Sequence, residues 1–159
     1  WLYPYTGTTF ENPLDVQIDH VVPLKDVFVN GGWKWTYQLR CVYSNYMGFR
    51  DHLKSVSGHE NMAKGGSNPN GYMPPNKAYQ CEYLKTWLSI KLIWQLEMQK
   101  DEAVAIKTLV EQNHCDLKDF TFSSSELEDQ RNQIQGLLNI CPQSPVRSAP
   151  RPAPYQESI

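Results

Sequence analysis

The sequence has little net charge and no long apolar run, and both absences limit what the chain can do. Its 159 residues carry a formal net charge of −2. Proteins that cover much duplex nucleic acid are often basic, so this balance argues against a large nucleic-acid footprint but allows a small basic groove. No run approaches the roughly 20 apolar residues of a membrane span, and we therefore expect no membrane partner.

The chain also lacks a recognisable signal peptide and an initiator methionine, since it starts at Trp1. These absences predict a processed form or an excised fragment. Hydrophobic residues make up 40% of the chain and aromatic residues 12%, which is typical of a folded domain. Residues 142–159 are the exception, because they hold five prolines and little that is apolar, and they are predicted to form an extended tail.

Cysteine is scarce, and none of the four cysteines stands at the CxxC spacing of a zinc knuckle. Cys41, Cys81, Cys115 and Cys141 are widely spaced, which predicts two disulfides and an oxidising compartment, so that the protein is expected to be secreted or periplasmic. Spacing alone leaves all three pairings open. The alternative is four buried free thiols in a cytosolic protein.

Hydrophobic periodicity and turn residues predict an α+β fold, with a small ββα core embedded in a mainly helical scaffold. The predicted strands cover residues 16–22 and 53–57, and the predicted helices cover residues 24–30, 33–46, 59–64, 78–98, 102–113 and 126–140. The last two helices are predicted to form a hairpin joined by a Cys115–Cys141 disulfide. That pairing leaves Cys41–Cys81 as the second disulfide.

The predicted helix 78–98 carries an apolar stripe formed by Tyr83, Trp87, Ile90 and Trp94. Lys91 lies on this stripe, which is unusual for a lysine. Its ammonium either extends to solvent along the apolar surface or points toward a functional site.

Four residues have the clearest chemical meaning: Asp19 and His20, and some forty residues later Asn61 and Lys64. The Asp19-His20 pair lies between Ile18 and Val21-Val22, and Pro23 follows. A histidine has an unperturbed pKa of about 6.5 and can act as a general base at neutral pH. Carboxylate and amide oxygens suit Mg²⁺, and a lysine suits a phosphate. This pattern indicates metal-assisted cleavage of a phosphodiester.

Each of these residues also has a simpler interpretation. An Asp-His pair on a strand is common, an isolated Asn61 is typical of a turn or a helix cap, and an isolated Lys64 is typical of a solvated surface. Adjacent residues on a regular strand point to opposite faces. Asp19 and His20 can therefore serve one site only if the strand ends, bends or bulges there.

The stretch from Trp1 to about Met98 resembles bacterial, often secreted, HNH (ββα-metal) endonucleases related to the nuclease part of GmrSD-type restriction enzymes. The matching pieces are Tyr3-Pro4-Tyr5-Thr6-Gly7, Ile18 through Leu24, Gly32-Trp33, Leu53 through Val56, Asn61 through Gly65, Met73 through Asn76, and Cys81-Glu82-Tyr83 with Trp87 and Lys91. The Asp-His…Asn signature is also similar to the HNH domain of CRISPR effector nucleases.

The resemblance implies that His20 is the general base and that Asp19 and Asn61 hold one Mg²⁺ or Mn²⁺ ion. The middle position of the family motif is usually an asparagine, but here it is His52, which either makes the same backbone hydrogen bond or adds a second titrating group. Asn45 is the nearest upstream asparagine and is an alternative for this role. Contacts to phosphate are predicted for Lys64, Arg40 and Arg50.

The sequence therefore predicts a divalent-metal-dependent endonuclease in residues 1–141, with the ββα-metal core at about 16–66 and the helical part at about 78–141. DNA is the expected substrate, with RNA possible and low sequence specificity, and the resemblance implies products that carry 5′-phosphate and 3′-hydroxyl ends. Two alternatives stay open: a nuclease toxin or effector with a protein inhibitor, and a catalytically degenerate nucleic-acid-binding module. A thiol enzyme built on Cys115 beside His114 has the least support, because adjacency in sequence does not imply that geometry.

Overall fold

A computed structural model describes residues 2–141, in which six α-helices, three 3-10 helices and two β-strands alternate along the chain. The strands are β1 (Val16–His20) and β2 (Leu53–Ser57), and the helices are α1 (Leu24–Val29), α2 (Tyr37–Ser44), α3 (Gly58–Lys64), α4 (Lys77–Ile93), α5 (Lys100–Gln112) and α6 (Ser124–Leu137). The 3-10 helices are Pro13–Asp15, Gly32–Lys34 and Leu117–Phe120. The predicted α+β class is confirmed, and the predicted tail lies outside the described residues.

Strands β1 and β2 form an antiparallel pair, and helix α3 follows β2 without an intervening residue. The pairing runs from Val16 opposite Ser57 to His20 opposite Leu53. Ser57 ends the strand and also caps α3, because its hydroxyl accepts a hydrogen bond from the Glu60 amide at 3.2 Å. The result is a strand–strand–helix unit in which α3 packs against both strands.

Helix α4 is the centre of the hydrophobic core, as its apolar stripe predicts. Tyr83, Trp87 and Ile90 are completely buried. Both α5 and α6 contact α4, and Arg131 of α6 donates at 2.9 Å to the Leu92 carbonyl near the end of α4, which also accepts from the Gln95 amide. Within the described residues, no helix is long and apolar enough to cross a bilayer.

Two helices are several residues shorter in the structure than predicted. In place of one helix over 33–46, a 3-10 turn is followed by α2, which starts after Thr36 because the Thr36 hydroxyl accepts from the Leu39 amide at 3.2 Å. Helix α4 ends at Ile93 instead of at residue 98. Two residues later Gln95 has a φ of 52°, a left-handed conformation that does not fit inside a right-handed helix.

Lys91 of α4 neither reaches solvent nor points toward Asp19 and His20. Its ammonium is 2% exposed and lies 2.7 Å from Asp26 Oδ2 on α1 and 3.0 Å from Glu102 Oε1 on α5. The Trp87 indole donates to the same Glu102 oxygen at 2.7 Å. This buried cluster joins three helices, and Glu102 has a raised pKa because of burial, with the charge of Lys91 acting in the opposite direction.

All four cysteines form disulfides, as predicted, but the predicted pairing is wrong. The observed bonds are Cys41–Cys141 and Cys81–Cys115. The chain after α5 returns to α4, which brings the Cα atom of Cys115 within 5.5 Å of that of Cys81. The second disulfide joins Cys141, the last described residue, to Cys41 on α2. No disulfide therefore connects α5 to the segment after α6.

Candidate functional site

Asp19 and His20 occupy opposite faces of β1. The antiparallel register is unbroken at both residues, with Asp19 opposite Lys54 and His20 opposite Leu53, so the strand has no bulge there. Asp19 consequently faces α3 and the N-terminal loop, whereas His20 faces the end of α2. The structure does not bring the predicted metal ligand and the predicted base together on one face.

The Asp19 carboxylate is buried, and each of its oxygens already has a partner. The Tyr5 hydroxyl donates to Oδ2 at 2.5 Å, and the Lys64 ammonium donates to Oδ1 at 2.8 Å. Lys64 also donates to the His20 carbonyl at 2.8 Å. Burial lowers the pKa of Lys64, and the neighbouring Asp19 charge acts in the opposite direction. The two opposite charges therefore stabilise each other inside the fold.

This arrangement decides which groups can meet a ligand. The Lys64 side chain has no exposed surface, so the structure gives it an internal ion pair in place of the predicted phosphate contact. Asn61 donates through Nδ2 to Gln17 Oε1 at 2.9 Å. Across residues 2–141, no group of three or more His, Cys, Asp or Glu side chains is placed to hold a metal ion. A divalent ion on Asp19 and Asn61 would have to displace the Lys64 ammonium from the Asp19 carboxylate, and the predicted metal ligands stay a prediction.

His20 is half-buried, and a single backbone contact fixes its imidazole. Nε2 lies 3.0 Å from the Ser44 carbonyl oxygen at the end of α2. A carbonyl only accepts hydrogen bonds, so Nε2 must carry the proton, and in the neutral ring the lone pair is then on Nδ1. The ring lies nearly parallel to that of Tyr43, with centroids 6.1 Å apart. The contact therefore holds the neutral ring in the tautomer in which Nδ1 is the unprotonated nitrogen.

The His52 ring is hydrogen-bonded to the Tyr43 carbonyl, which directly precedes Ser44 at the end of α2. Its Nε2 lies 2.8 Å from the Tyr43 oxygen, its side chain is completely buried, and its own carbonyl accepts from the Val21 amide at 3.2 Å. Burial lowers the pKa of His52 to about 4. The residue makes a backbone hydrogen bond of the kind expected of the middle position, and its side chain is enclosed by the fold. A direct catalytic role for His52 stays a prediction.

The buried His52 is expected to make stability depend on pH between about 6.5 and 4. In that window the unfolded chain binds a proton that the folded chain excludes, so the free energy of unfolding falls as pH falls, by roughly 3 kcal/mol in total. Urea denaturation of the wild type and of His52→Asn from pH 4 to pH 8 measures this difference. His52→Asn should give a flatter profile. The matched control is His114→Asn, at an exposed site whose φ of 53° asparagine tolerates, and it should follow the wild type. Parallel profiles for all three proteins would contradict this expectation.

The remaining predicted residues, Asn45, Arg50 and Arg40, have different surroundings in the structure. Asn45 caps α2 by donating to the Cys41 carbonyl at 2.9 Å, so it does not take the middle role. Arg50 is exposed in the turn before β2. Arg40 lies one helical turn before Ser44, and its Nη1 is buried without a hydrogen-bond partner among the described residues. Arg40 and Ser44, whose carbonyl orients His20, line the same small pocket.

The groups that orient Asp19 and His20 at the end of β1 were not predicted from the sequence. Tyr5 was noted only as part of a matching motif, and nothing in its spacing indicates that its hydroxyl would meet Asp19. The carbonyls of Tyr43 and Ser44 are backbone groups, and their role depends on α2 ending at Ser44. The end of that helix was the available signal, and it was predicted two residues too late.

Comparison with known proteins gives one informative relative. The chain is 33% identical over 115 residues to a protein of the fungus Arthroderma benhamiae named "Uncharacterized secreted protein", and the match covers 72% of this chain and 55% of the relative. This chain therefore spans about half of that relative's length. No family profile matches the chain. No solved structure matches it.

These comparisons correct one prediction and confirm another. The resemblance to bacterial GmrSD-related HNH endonucleases is wrong, because the relative is fungal, its name carries no nuclease function, and no family profile or solved structure connects the chain to HNH enzymes. The quoted motifs are short, and short motifs recur by chance. The predicted secreted location is confirmed by the two disulfides and by the secreted relative.

Proposed function

We propose that the protein hydrolyses phosphodiester bonds in DNA as an endonuclease in which His20 is the general base. The observation that carries the proposal is the hydrogen bond between His20 Nε2 and the Ser44 carbonyl, because it leaves Nδ1 to accept a proton at a half-exposed position. The order of β1, β2 and α3 supports the proposal, since a ββα nuclease core needs these elements in this order.

In the proposed reaction, Nδ1 of His20 removes a proton from a water molecule, and the water oxygen forms a bond to phosphorus. The bond from phosphorus to the 3′ oxygen breaks, and that oxygen takes a proton from solvent. The products carry a 5′-phosphate and a 3′-hydroxyl. Arg40 and Arg50 are the predicted cations for the phosphate, because Lys64 is held inside the fold by Asp19.

A requirement for Mg²⁺ or Mn²⁺ belongs to the proposal on chemical grounds only. Negative charge that develops on a phosphodiester during attack needs a cation nearby. A divalent ion on Asp19 and Asn61 would have to displace the Lys64 ammonium, so no step above passes through one.

One observation favours a second function. The buried ion pair between Lys64 and Asp19 is compatible with a catalytically degenerate nucleic-acid-binding module, because such a module does not need an accessible carboxylate to bind a metal ion. This alternative predicts DNA binding without cleavage.

Cleavage of a supercoiled plasmid, of single-stranded DNA and of RNA by the wild type tests both functions. Each substrate is incubated with Mg²⁺, with Mn²⁺ or with EDTA, and DNA binding is measured in parallel. We expect plasmid nicking with either metal and none with EDTA. Nicking that persists in EDTA would remove the metal from the proposal. Binding without cleavage of any substrate would replace the proposal with the binding module.

A further inference from the structure

One buried ammonium connects the two adjacent residues that face opposite sides of β1. Lys64 Nζ donates to Asp19 Oδ1 at 2.8 Å and to the His20 carbonyl at 2.8 Å. The Lys64 side chain has no exposed surface, and that of Asp19 is 5% exposed. Because α3 packs against both strands, its last residue reaches the end of β1 from the Asp19 side. Asp19 and His20 are therefore linked through Lys64, although their side chains point to opposite faces.

The bond from this ammonium is one of several contacts that fix the main chain at His20. Leu53 lies opposite His20 in the strand register, and the following amide, that of Val21, donates to the His52 carbonyl at 3.2 Å. The imidazole is held by the hydrogen bond from Nε2 to the Ser44 carbonyl at 3.0 Å. A ring keeps such a bond only while the main chain that carries the ring stays in place. Contacts to the His20 main chain therefore also orient the ring.

The ammonium is itself held in place by the fold. Tyr5 donates to Asp19 Oδ2 at 2.5 Å, so both oxygens of the carboxylate that anchors Lys64 are bonded. Gly65 ends α3 directly after Lys64, with a φ of 50° and an amide that donates to the Asn61 carbonyl at 2.9 Å. The main chain and the side-chain end of the lysine are thus both fixed, as a group that orients a reactive residue needs to be.

Two other roles for Lys64 explain less of this geometry. A phosphate contact needs an ammonium that reaches solvent, and this one does not. A purely structural ion pair accounts for the bond to Asp19, but buried ion pairs often contribute little net stability compared with apolar residues of similar volume. A positioning role accounts for both bonds, because the carboxylate fixes the ammonium and the ammonium fixes the His20 carbonyl.

We propose that Lys64, anchored by Asp19, is a positioning residue that keeps the His20 imidazole on the Ser44 carbonyl with Nδ1 unprotonated. The expected effect on cleavage rests on the proposed function, whereas the expected effect on the imidazole does not. The proposal also gives Asp19 a role as the anchor of Lys64.

The test compares the imidazole ¹⁵N NMR signals of neutral His20 in the wild type and in Lys64→Met/Asp19→Asn. The double variant removes both charges together, whereas Lys64→Met alone would leave a buried carboxylate without its cation. We expect a single tautomer in the wild type and a mixture of both tautomers in the double variant, because the His20 carbonyl has lost its donor. The single-turnover rate of plasmid nicking should fall about 10- to 100-fold, since a misplaced base is inefficient, and the affinity for DNA should not change.

Lys91→Met is the matched control. It also removes a buried lysine from buried carboxylates, those of Asp26 and Glu102, and its described hydrogen bonds and ion pairs do not include His20. This variant should lose stability. At a temperature at which it is folded, it should keep the single His20 tautomer and the wild-type nicking rate.

The possible outcomes separate the positioning role from the proposed nuclease. A single tautomer in the double variant would overturn the positioning role, and a fall in rate beside it would assign Asp19 to the reaction directly, as the predicted metal ligand. A mixture of tautomers in Lys91→Met as well would also overturn it, because any loss of stability would then release the ring. A mixture confined to the double variant, without nicking by the wild type, would keep the positioning role and reject the nuclease. Nicking by the double variant at the wild-type rate would keep the nuclease and reject the positioning role.

Discussion

Replacing Lys91 with methionine is expected to lower the free energy of unfolding by about 3–5 kcal/mol. The ammonium is the only cation in contact with two buried carboxylates, Asp26 at 2.7 Å and Glu102 at 3.0 Å, as far as the described residues show. Methionine fills a similar volume but leaves both negative charges in a medium of low polarity. Removal of one partner from such a cluster therefore costs much more than the intact cluster contributes.

Urea denaturation at pH 7 measures this loss. The matched control is Lys107→Met on the exposed face of α5, which should change stability by no more than about 0.5 kcal/mol. The double variant Lys91→Met/Glu102→Gln should recover part of the lost free energy of unfolding, because only one buried carboxylate, that of Asp26, then remains without a cation. A loss in Lys91→Met as small as that in Lys107→Met would show that the cluster is open to water.

Replacing His20 with alanine is expected to reduce the single-turnover rate of DNA cleavage by about 10²- to 10⁴-fold, the usual contribution of a general base. The affinity for DNA should not change, because the imidazole acts on water and not on the nucleic acid. Stability should fall by only about 1 kcal/mol, since the half-exposed Ser44 carbonyl loses one neutral donor that water can replace.

The comparison uses quenched-flow or gel kinetics with enzyme in excess, beside equilibrium binding to the same oligonucleotide. His114→Ala, at an exposed histidine, is the control and should cleave at the wild-type rate. A His20→Ala rate close to that of the wild type would mean that a different group activates the water. Weaker DNA binding that accounts for the whole loss of rate would assign His20 to substrate binding.

The elements that local patterns specify were predicted well. Strand β2 was predicted with its observed ends, and the structure shows that Ser57 closes it by capping the next helix. Helix α4 was predicted from the 3.6-residue repeat of its buried aromatic stripe, which reflects burial directly. The pairing of cysteines could not be predicted in the same way, since Cys41 and Cys141 are 100 residues apart and meet only once α6 has packed across α4.

The candidate site was predicted less well, for a geometric reason. Asp19 and His20 are adjacent in the sequence, but a regular strand sends them to opposite faces, and only the register shows that the strand is regular there. The partners of Asp19 come from 14 and 45 residues away. Lys91 on an apolar stripe was a visible anomaly, yet its partners Asp26 and Glu102 lie on other helices that no local pattern connects.

Whether the fold leaves Nδ1 of His20 free to accept a proton is tested most directly by ¹⁵N NMR of the imidazole nitrogens in the neutral ring, with His20→Gln used for assignment. The hydrogen bond to Ser44 predicts a single tautomer, protonated at Nε2 and unprotonated at Nδ1. A ring protonated at Nδ1, or an even mixture of both tautomers, would contradict the geometry on which the proposed base depends.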